Sequence, residues 1–226
     1  MKKMSINVAI DGPAGAGKST IARMLARELN YIYVDTGAMY RAMALYMIEH
    51  KIDVSHLDEV GSACDAITID IQYSAGEQQV ILNGKNVNDF IRTETVSEMS
   101  SKISAIPEVR EKLLSLQRSL AMAENVIMDG RDIGTHVLPN ADVKIFLTAD
   151  AHVRAVRRYE EFIAKGVSCT LENVEREVIE RDERDMNRAI APLKQAEDAV
   201  RVDTSAMTIE EVVCYLKNLI GQAVAR

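Results

Sequence analysis

The segment Gly12-Pro13-Ala14-Gly15-Ala16-Gly17-Lys18-Ser19-Thr20 sets small residues ahead of a lysine and two hydroxyls. Its spacing, G-x-x-x-x-G-K-[ST], is that of a loop that wraps phosphate oxygens. Small residues let successive backbone N–H groups curl around an anion, and a helix starting beneath the loop adds partial positive charge. Lys18 can then reach β- and γ-phosphates, and the Ser19 hydroxyl can ligate Mg²⁺. The motif does not by itself separate kinases, GTPases, ATPase motors and transporters. The sequence holds no Asn-Lys-x-Asp for guanine recognition and no Leu-Ser-Gly-Gly-Gln signature.

Two further clusters point to a second phosphorylated ligand. Asp35-Thr36-Gly37-Ala38-Met39-Tyr40-Arg41 follows an apolar segment, and the carboxyl end of a strand is where α/β sheets bind ligands. Thr36 offers a hydroxyl and Arg41 a guanidinium fork suited to phosphate. The same residues read equally well as a helix cap, with Asp35 or Thr36 capping and Arg41 solvated. Asp129-Gly130-Arg131-Asp132-Ile133-Gly134-Thr135 also follows an apolar segment. Arg131 and Asp132 suit a polar ligand, and Asp129 could serve Mg²⁺ through water; the plainer alternative is a surface turn holding an Arg–Asp pair.

Eight of the sixteen arginines lie between Arg131 and Arg188. Arg154, Arg157 and Arg158 fall at i, i+3 and i+4, on one helix face; Arg181, Arg184 and Arg188, at i, i+3 and i+7, would share another. Interleaved Glu172, Glu175, Glu177 and Glu180 fit a solvated face laced with ion pairs. The alternative is a mobile, arginine-rich lid that closes over phosphates and excludes water.

The elements that must hold these groups follow from hydropathy period. Ser5–Ile10 reads as a buried strand, 18–29 as a helix, Tyr31–Val34 as a strand and 38–50 as a helix. That alternation specifies a parallel sheet covered by helices. The middle breaks it. Residues 67–71 and 79–82 alternate around a turn at Ala75-Gly76, and Asn83-Gly84 marks a hairpin. A short helix spans 95–105. Helix 107–124, strand 126–128, strand 143–147, helices 151–164 and 171–188, strand 200–202 and helix 209–224 resume the core pattern.

Composition closes off other classes. The 27 Lys+Arg against 34 Asp+Glu give a net charge of −7, which disfavours a general nucleic-acid binder without excluding a basic pocket. Aromatic residues are 4% with no Trp, so a base-stacking face is not expected. Hydrophobic residues at 47% exclude a disordered chain. No stretch approaches the roughly 20 apolar residues of a membrane span, and the Met1-Lys2-Lys3 start leads into too short an apolar run for a signal peptide. Cys64, Cys169 and Cys214 are far apart and form no C-x-x-C; neither a disulfide framework nor a zinc site is expected, and a reducing cytoplasm fits them.

With these motifs in order, and with Arg181-Asp-Glu-Arg-Asp-Met-Asn-Arg-Ala-Ile-Ala-Pro-Leu193 as a fourth, the chain closely resembles bacterial cytidylate kinases over essentially its whole length. The resemblance implies a P-loop α/β fold of three layers: a five-stranded parallel core sheet, an inserted small antiparallel-sheet monophosphate-binding domain and a helical lid. It implies core segments 1–62, 106–153 and 191–226, an insertion at 63–105 and a lid at 154–190. The implied reaction moves the ATP γ-phosphoryl group to CMP or dCMP, with Mg²⁺, in a cytoplasmic monomer that engages neither nucleic acid nor membrane. The resemblance places Thr36, Ser101, Arg110, Arg131 and Asp132 around the monophosphate, with Arg41, Arg181, Asp185 and Arg188 completing the pocket. Ser101, Arg110 and Asp132 would read cytosine. Position 36 is often Ser in the family; Thr36 keeps the hydroxyl and adds a methyl. Arg154, Arg157 and Arg158 match the family's basic lid, with Arg157 on the ATP side.

The chemistry needs no strong general base. A phosphate monoester with a second pKa of about 6 is mostly dianionic at neutral pH. The obstacle is bringing two polyanions together, which places Lys18, Arg131, Arg158 and Arg188 at the transferring group. A kinase of UMP or another small acceptor, a non-catalytic P-loop module and an RNA-binding protein are the alternatives.

Overall fold

The computed structural model describes residues 5–74, 76–164 and 166–224. The Met1-Lys2-Lys3 start and Ala75 of the expected turn lie outside them.

Five parallel strands form the core: β1 (Asn7–Asp11), β2 (Ile32–Asp35), and the strands Val126–Gly130, Val143–Thr148 and Val200–Asp203. Three strands of the insertion precede the last three in the chain, so these become β6, β7 and β8. The order across the sheet is β2-β6-β1-β7-β8. Alternate residues face opposite layers, as the two-residue strand period requires. Val8 and Ile10 of β1 and Ile127 of β6 pack with Leu25, Leu216 and Ile220 of helices α1 (Lys18–Leu29) and α8 (Ile209–Val224). Ala9, Val34 and Met128 face the other way, onto Met39, Met43 and Leu113 of α2 (Thr36–Glu49) and α5 (Pro107–Ala123). Apart from Asn7, Tyr33, Lys144 and Arg201, the strands are apolar until their carboxyl ends, where Asp11, Asp35, Asp129 and Asp203 emerge on one rim.

The small antiparallel sheet joins β3 (Ile69–Ser74), β4 (Glu77–Leu82) and β5 (Lys85–Asn86). The expected Asn83-Gly84 hairpin is present, both residues having positive φ, 47° and 80°, as the mirror-image hairpin turn demands. The sheet is fastened to β2: the Gln78 side chain accepts from Asp35 N at 2.8 Å and donates to Asp35 O at 3.2 Å, and Tyr73 Oη donates to Tyr33 O at 3.1 Å. Helix α4 (Glu94–Ile103) follows.

Two elements depart from expectation. Helix α3 (Leu57–Ala66) covers a stretch assigned no structure, because only Val60, Ala63 and Cys64 of it are buried and its apolar stripe is short. Ile133–Val137 forms one π-helical turn, a wide loop geometry with no side-chain period to announce it. Helices α6 (Ala151–Ala164) and α7 (Leu171–Asn187) form where expected and pack together around Ala155, Val174 and Val178. Helix α7 ends at Asn187, and Arg188 is extended (φ −64°, ψ 141°). The single face expected for Arg181, Arg184 and Arg188 is therefore not formed.

Candidate active site

A cleft of about 840 Å³ runs along the carboxyl-end rim of the core sheet. The phosphate loop stands at its centre, after β1, the middle strand. Gly12 (φ +148°) packs where a Cβ would lie 1.9 Å from Leu147 O, so only glycine lets the loop leave the sheet there. Gly17 (φ +83°) begins α1 without any side-chain cap, which leaves the first helical N–H groups free for an anion. Residues 14–20 line the cleft, whereas Gly12 and Pro13 shape the loop from behind.

Lys18 is buried and its Nζ donates to Pro13 O at 2.6 Å. Burial, reinforced by Arg131, pulls its ammonium well below the usual lysine range. Ser19 Oγ donates to Asp129 Oδ2 at 2.8 Å. Asp129 is buried, its Oδ1 has no hydrogen-bond partner, and burial, with Asp35 adding repulsion, raises its pKa to about 6. A hydroxyl and a carboxylate in contact, one oxygen unspent, fit a hard divalent cation shared with phosphates. Tyr33 Oη, also unpartnered, is buried beside them.

On the β2–β6 side the two sequence clusters meet. Asp35 does cap α2, its Oδ1 accepting from Ala38 N at 2.8 Å, but Arg41 is not solvated: it pairs with Asp35 Oδ2 at 3.0 Å and lines the cleft. Burial works to raise the Asp35 pKa, yet Arg41, the Ala38 N–H and Arg92 outweigh it and hold the carboxyl below 3.8. Thr36 Oγ1 donates to Asp129 O at 2.7 Å, so the hydroxyl retains only acceptor capacity for a ligand.

Residues 129–135 are no surface turn, since Asp129 and Asp132 are both 5% exposed. Nor do Arg131 and Asp132 pair with each other. Arg131 Nε donates to Asp185 Oδ2 at 2.9 Å; burial works to lower the guanidinium's pKa, but the charge and hydrogen bond of Asp185, with Asp129 and Asp182, together raise it. Asp132 Oδ1 accepts from Arg188 at 3.0 Å and Oδ2 from Arg110, which lies over the Tyr40 ring at 5.9 Å. Ser101 Oγ is buried without a partner in the same cleft. Arg181 is crowded: burial and then Arg131, with Arg158 and Arg41 adding, lower its pKa to about 10, and its Nε is unpartnered. Uncompensated buried positive charge of this kind fits a polyanion.

The three arginines of α6 separate. Arg157 donates to Thr204 Oγ1 (3.2 Å) and O (2.8 Å) on the β8 side of the cleft. Arg158 lines the cleft, its guanidinium 4.8 Å from the Phe162 ring centroid. Arg154 does not point into the cleft. It is buried, bonded to Ala149 O, Ala14 O and Asp182, and acts as a strut between phosphate loop and α7. A shared helix face did not reveal this, because 154 turns to the phosphate loop and α7 while 157 and 158 line the cleft. Arg184 is exposed and away from the cleft.

Comparison with known proteins fits this geometry. The chain matches the family profile described as cytidylate kinase over residues 8–222. The chain belongs to the cytidylate kinase family. Curated cytidylate kinases similar to it include that of Carboxydothermus hydrogenoformans (50% identical over 219 residues, 96% of this chain and 98% of the relative). Those of Lactobacillus johnsonii (47% over 224 residues, 97% of each chain) and Caldicellulosiruptor saccharolyticus (50% over 213 residues, 94% and 93%) agree. A crystal structure of an uncharacterized protein from Eubacterium ventriosum has the same fold, at TM-score 0.52 and 14% identity, with 96% and 99% of the chains covered. Several cleft residues carried no sequence signal of their own. Arg92 reaches within 3.8 Å of Asp35 Oδ2, and Thr204 anchors Arg157; neither stands in a motif.

Proposed function

We propose that the protein transfers the γ-phosphoryl group of ATP to CMP or dCMP, giving ADP and CDP or dCDP. Family membership supports the reaction, and one observation carries the acceptor: the same cleft that holds the phosphate loop holds, on its β2–β6 side, a buried carboxylate with unspent lone pairs between two arginines. A pyrimidine with an exocyclic amine satisfies such an acceptor, as it does in nucleic-acid recognition. A uracil carbonyl would meet it oxygen to oxygen.

In this reading ATP lies over residues 14–20, with its base toward Arg157 and Thr204 on the β8 side. Lys18 leaves Pro13 O for the β/γ-phosphates. Ser19 and Asp129 would hold Mg²⁺, which when bound neutralises phosphate charge. Arg131, Arg158 and Arg188 surround the transferring group, and removing one such charge typically costs about 3–4 kcal/mol of transition-state stabilisation. Arg41 and Arg181 bind the monophosphate, Asp185 and Thr36 its sugar side, and Ser101, Arg110 and Asp132 its base. Residues 63–105 and 154–190 form the insertion and lid that close over the core, and closure excludes water from the γ-phosphate. Among the described residues no helix is long and apolar enough to cross a membrane. The acidic net charge of −7 favours free nucleotides over a nucleic-acid strand; the cytoplasmic, monomeric state rests on the family resemblance alone. The test is ADP formation from Mg-ATP with and without CMP. Turnover saturable in CMP, with slow hydrolysis in its absence, is expected. Nucleotide binding with no acceptor-dependent turnover would make the protein a P-loop module instead.

A further inference from the structure

Asp132 occupies the N-cap position of the π-turn Ile133–Val137, yet its side chain caps nothing. An aspartate there ordinarily spends its carboxylate on the free N–H groups of the turn that follows. The first two of those N–H groups, including the Gly134 N–H that a capping Asp132 would use, are instead taken by Asp11, across more than 120 residues of sequence: Oδ1 accepts from Ile133 N and Oδ2 from Gly134 N, each at 2.7 Å. Asp11 is the last residue of β1 and is bonded directly to Gly12 of the phosphate loop. It is 5% exposed. Gly134 leaves room for this contact, since a Cβ there would sit 3.4 Å from Asp11 Oδ2 and 3.2 Å from Lys144 Cδ.

We propose that Asp11 is a positioning residue for acceptor choice: by capping the π-turn in place of Asp132, it frees the Asp132 carboxylate to face Arg110, Arg188 and the pyrimidine. The inference rests on the acceptor reading above. It needs a carboxylate with both oxygens in use. An asparagine offers one acceptor and turns its amide hydrogens toward the second N–H, so Asp132 is drawn back toward its own turn.

The experiment is Asp11→Asn, with steady-state constants for CMP, UMP and ATP. The expected result is a fall in kcat/KM for CMP of about tenfold to a hundredfold, the scale of a small misplacement of a site group. The CMP-to-UMP ratio of kcat/KM falls with it, and KM for ATP stays within about threefold. An equal loss for CMP and UMP, or a loss confined to ATP, overturns the proposal. Amide exchange in the wild-type protein keeps it testable if the variant does not fold. Protection of the Ile133 and Gly134 amides without nucleotide supports Asp11 as their cap, and fast exchange there overturns it. Failure of the acceptor reading would show separately, as a wild-type enzyme that does not turn over CMP while those two amides remain protected.

Discussion

Replacing Asp132 by asparagine should collapse the preference for CMP over UMP. The carboxylate accepts one guanidinium hydrogen on each oxygen, from Arg188 and Arg110, which leaves one lone pair on each for a ligand. A hydrogen bond from the cytosine amine to a charged acceptor contributes about 1.5–3 kcal/mol, so its loss lowers kcat/KM for CMP by about 10- to 150-fold. UMP moves the other way, because an amide can rotate its N–H toward the uracil carbonyl. The ratio of the two kcat/KM values therefore falls by at least about tenfold. Asparagine is the better test than alanine because it keeps the shape and one carbonyl acceptor for the two guanidiniums, although either change removes their buried counter-charge, at up to about 3–5 kcal/mol of stability. The assay is ADP release under saturating Mg-ATP, with the melting temperature of the variant as control. An equal loss for CMP and UMP in a folded variant would refute the role of Asp132.

Arg154 and Arg158, both on α6, should respond oppositely. Arg154→Met strands buried Asp182 without its partner and should lower stability by about 3–5 kcal/mol in a urea titration. Arg158→Met should leave the melting temperature within about 2 °C while lowering kcat. Crowding of Arg181 by Arg131, Arg158 and Arg41 predicts that CMP raises the melting temperature well beyond equimolar cytidine; equal shifts would remove the phosphate from the account. His152 Nδ1 lies 3.0 Å from Glu175 Oε2, linking α6 to α7, and that contact raises the imidazole pKa above 6.5. The link is fully present below the unfolded value of 6.5 and is lost as pH rises through the higher native one. An NMR titration should find the His152 pKa raised, and lowered again in Glu175→Gln.

The sheet was legible because β1, β2, β6 and β7 are short apolar runs that end abruptly in polar residues, the pattern of strands buried on both faces. The phosphate loop was legible because its chemistry is local: Gly12, Gly17, Lys18 and Ser19 all act within one turn of chain. What stayed hidden depends on partners far apart in sequence. Arg131 and Asp132 look like a pair, yet each is claimed by residues more than twenty positions away, Asp185 for one, Arg110 and Arg188 for the other. Arg154 looks like Arg157 until its partners, Ala14 O and Asp182, are known. Asp11 reads as the end of a strand, and a carboxylate at a strand's carboxyl end, next to a phosphate loop, was the only hint that it holds anything. Helix α3 was missed because a mostly exposed helix has little apolar period to find.

The central claim is that one cleft joins ATP to a cytidine monophosphate. Its most direct test is ADP formation from Mg-ATP with CMP, dCMP, UMP, AMP and GMP in parallel. The account predicts strong turnover with CMP and dCMP, weak turnover with UMP and none with the purines. Comparable rates across all five would contradict it, keeping the phosphate loop but removing the base-reading role of Asp132, Arg110 and Ser101.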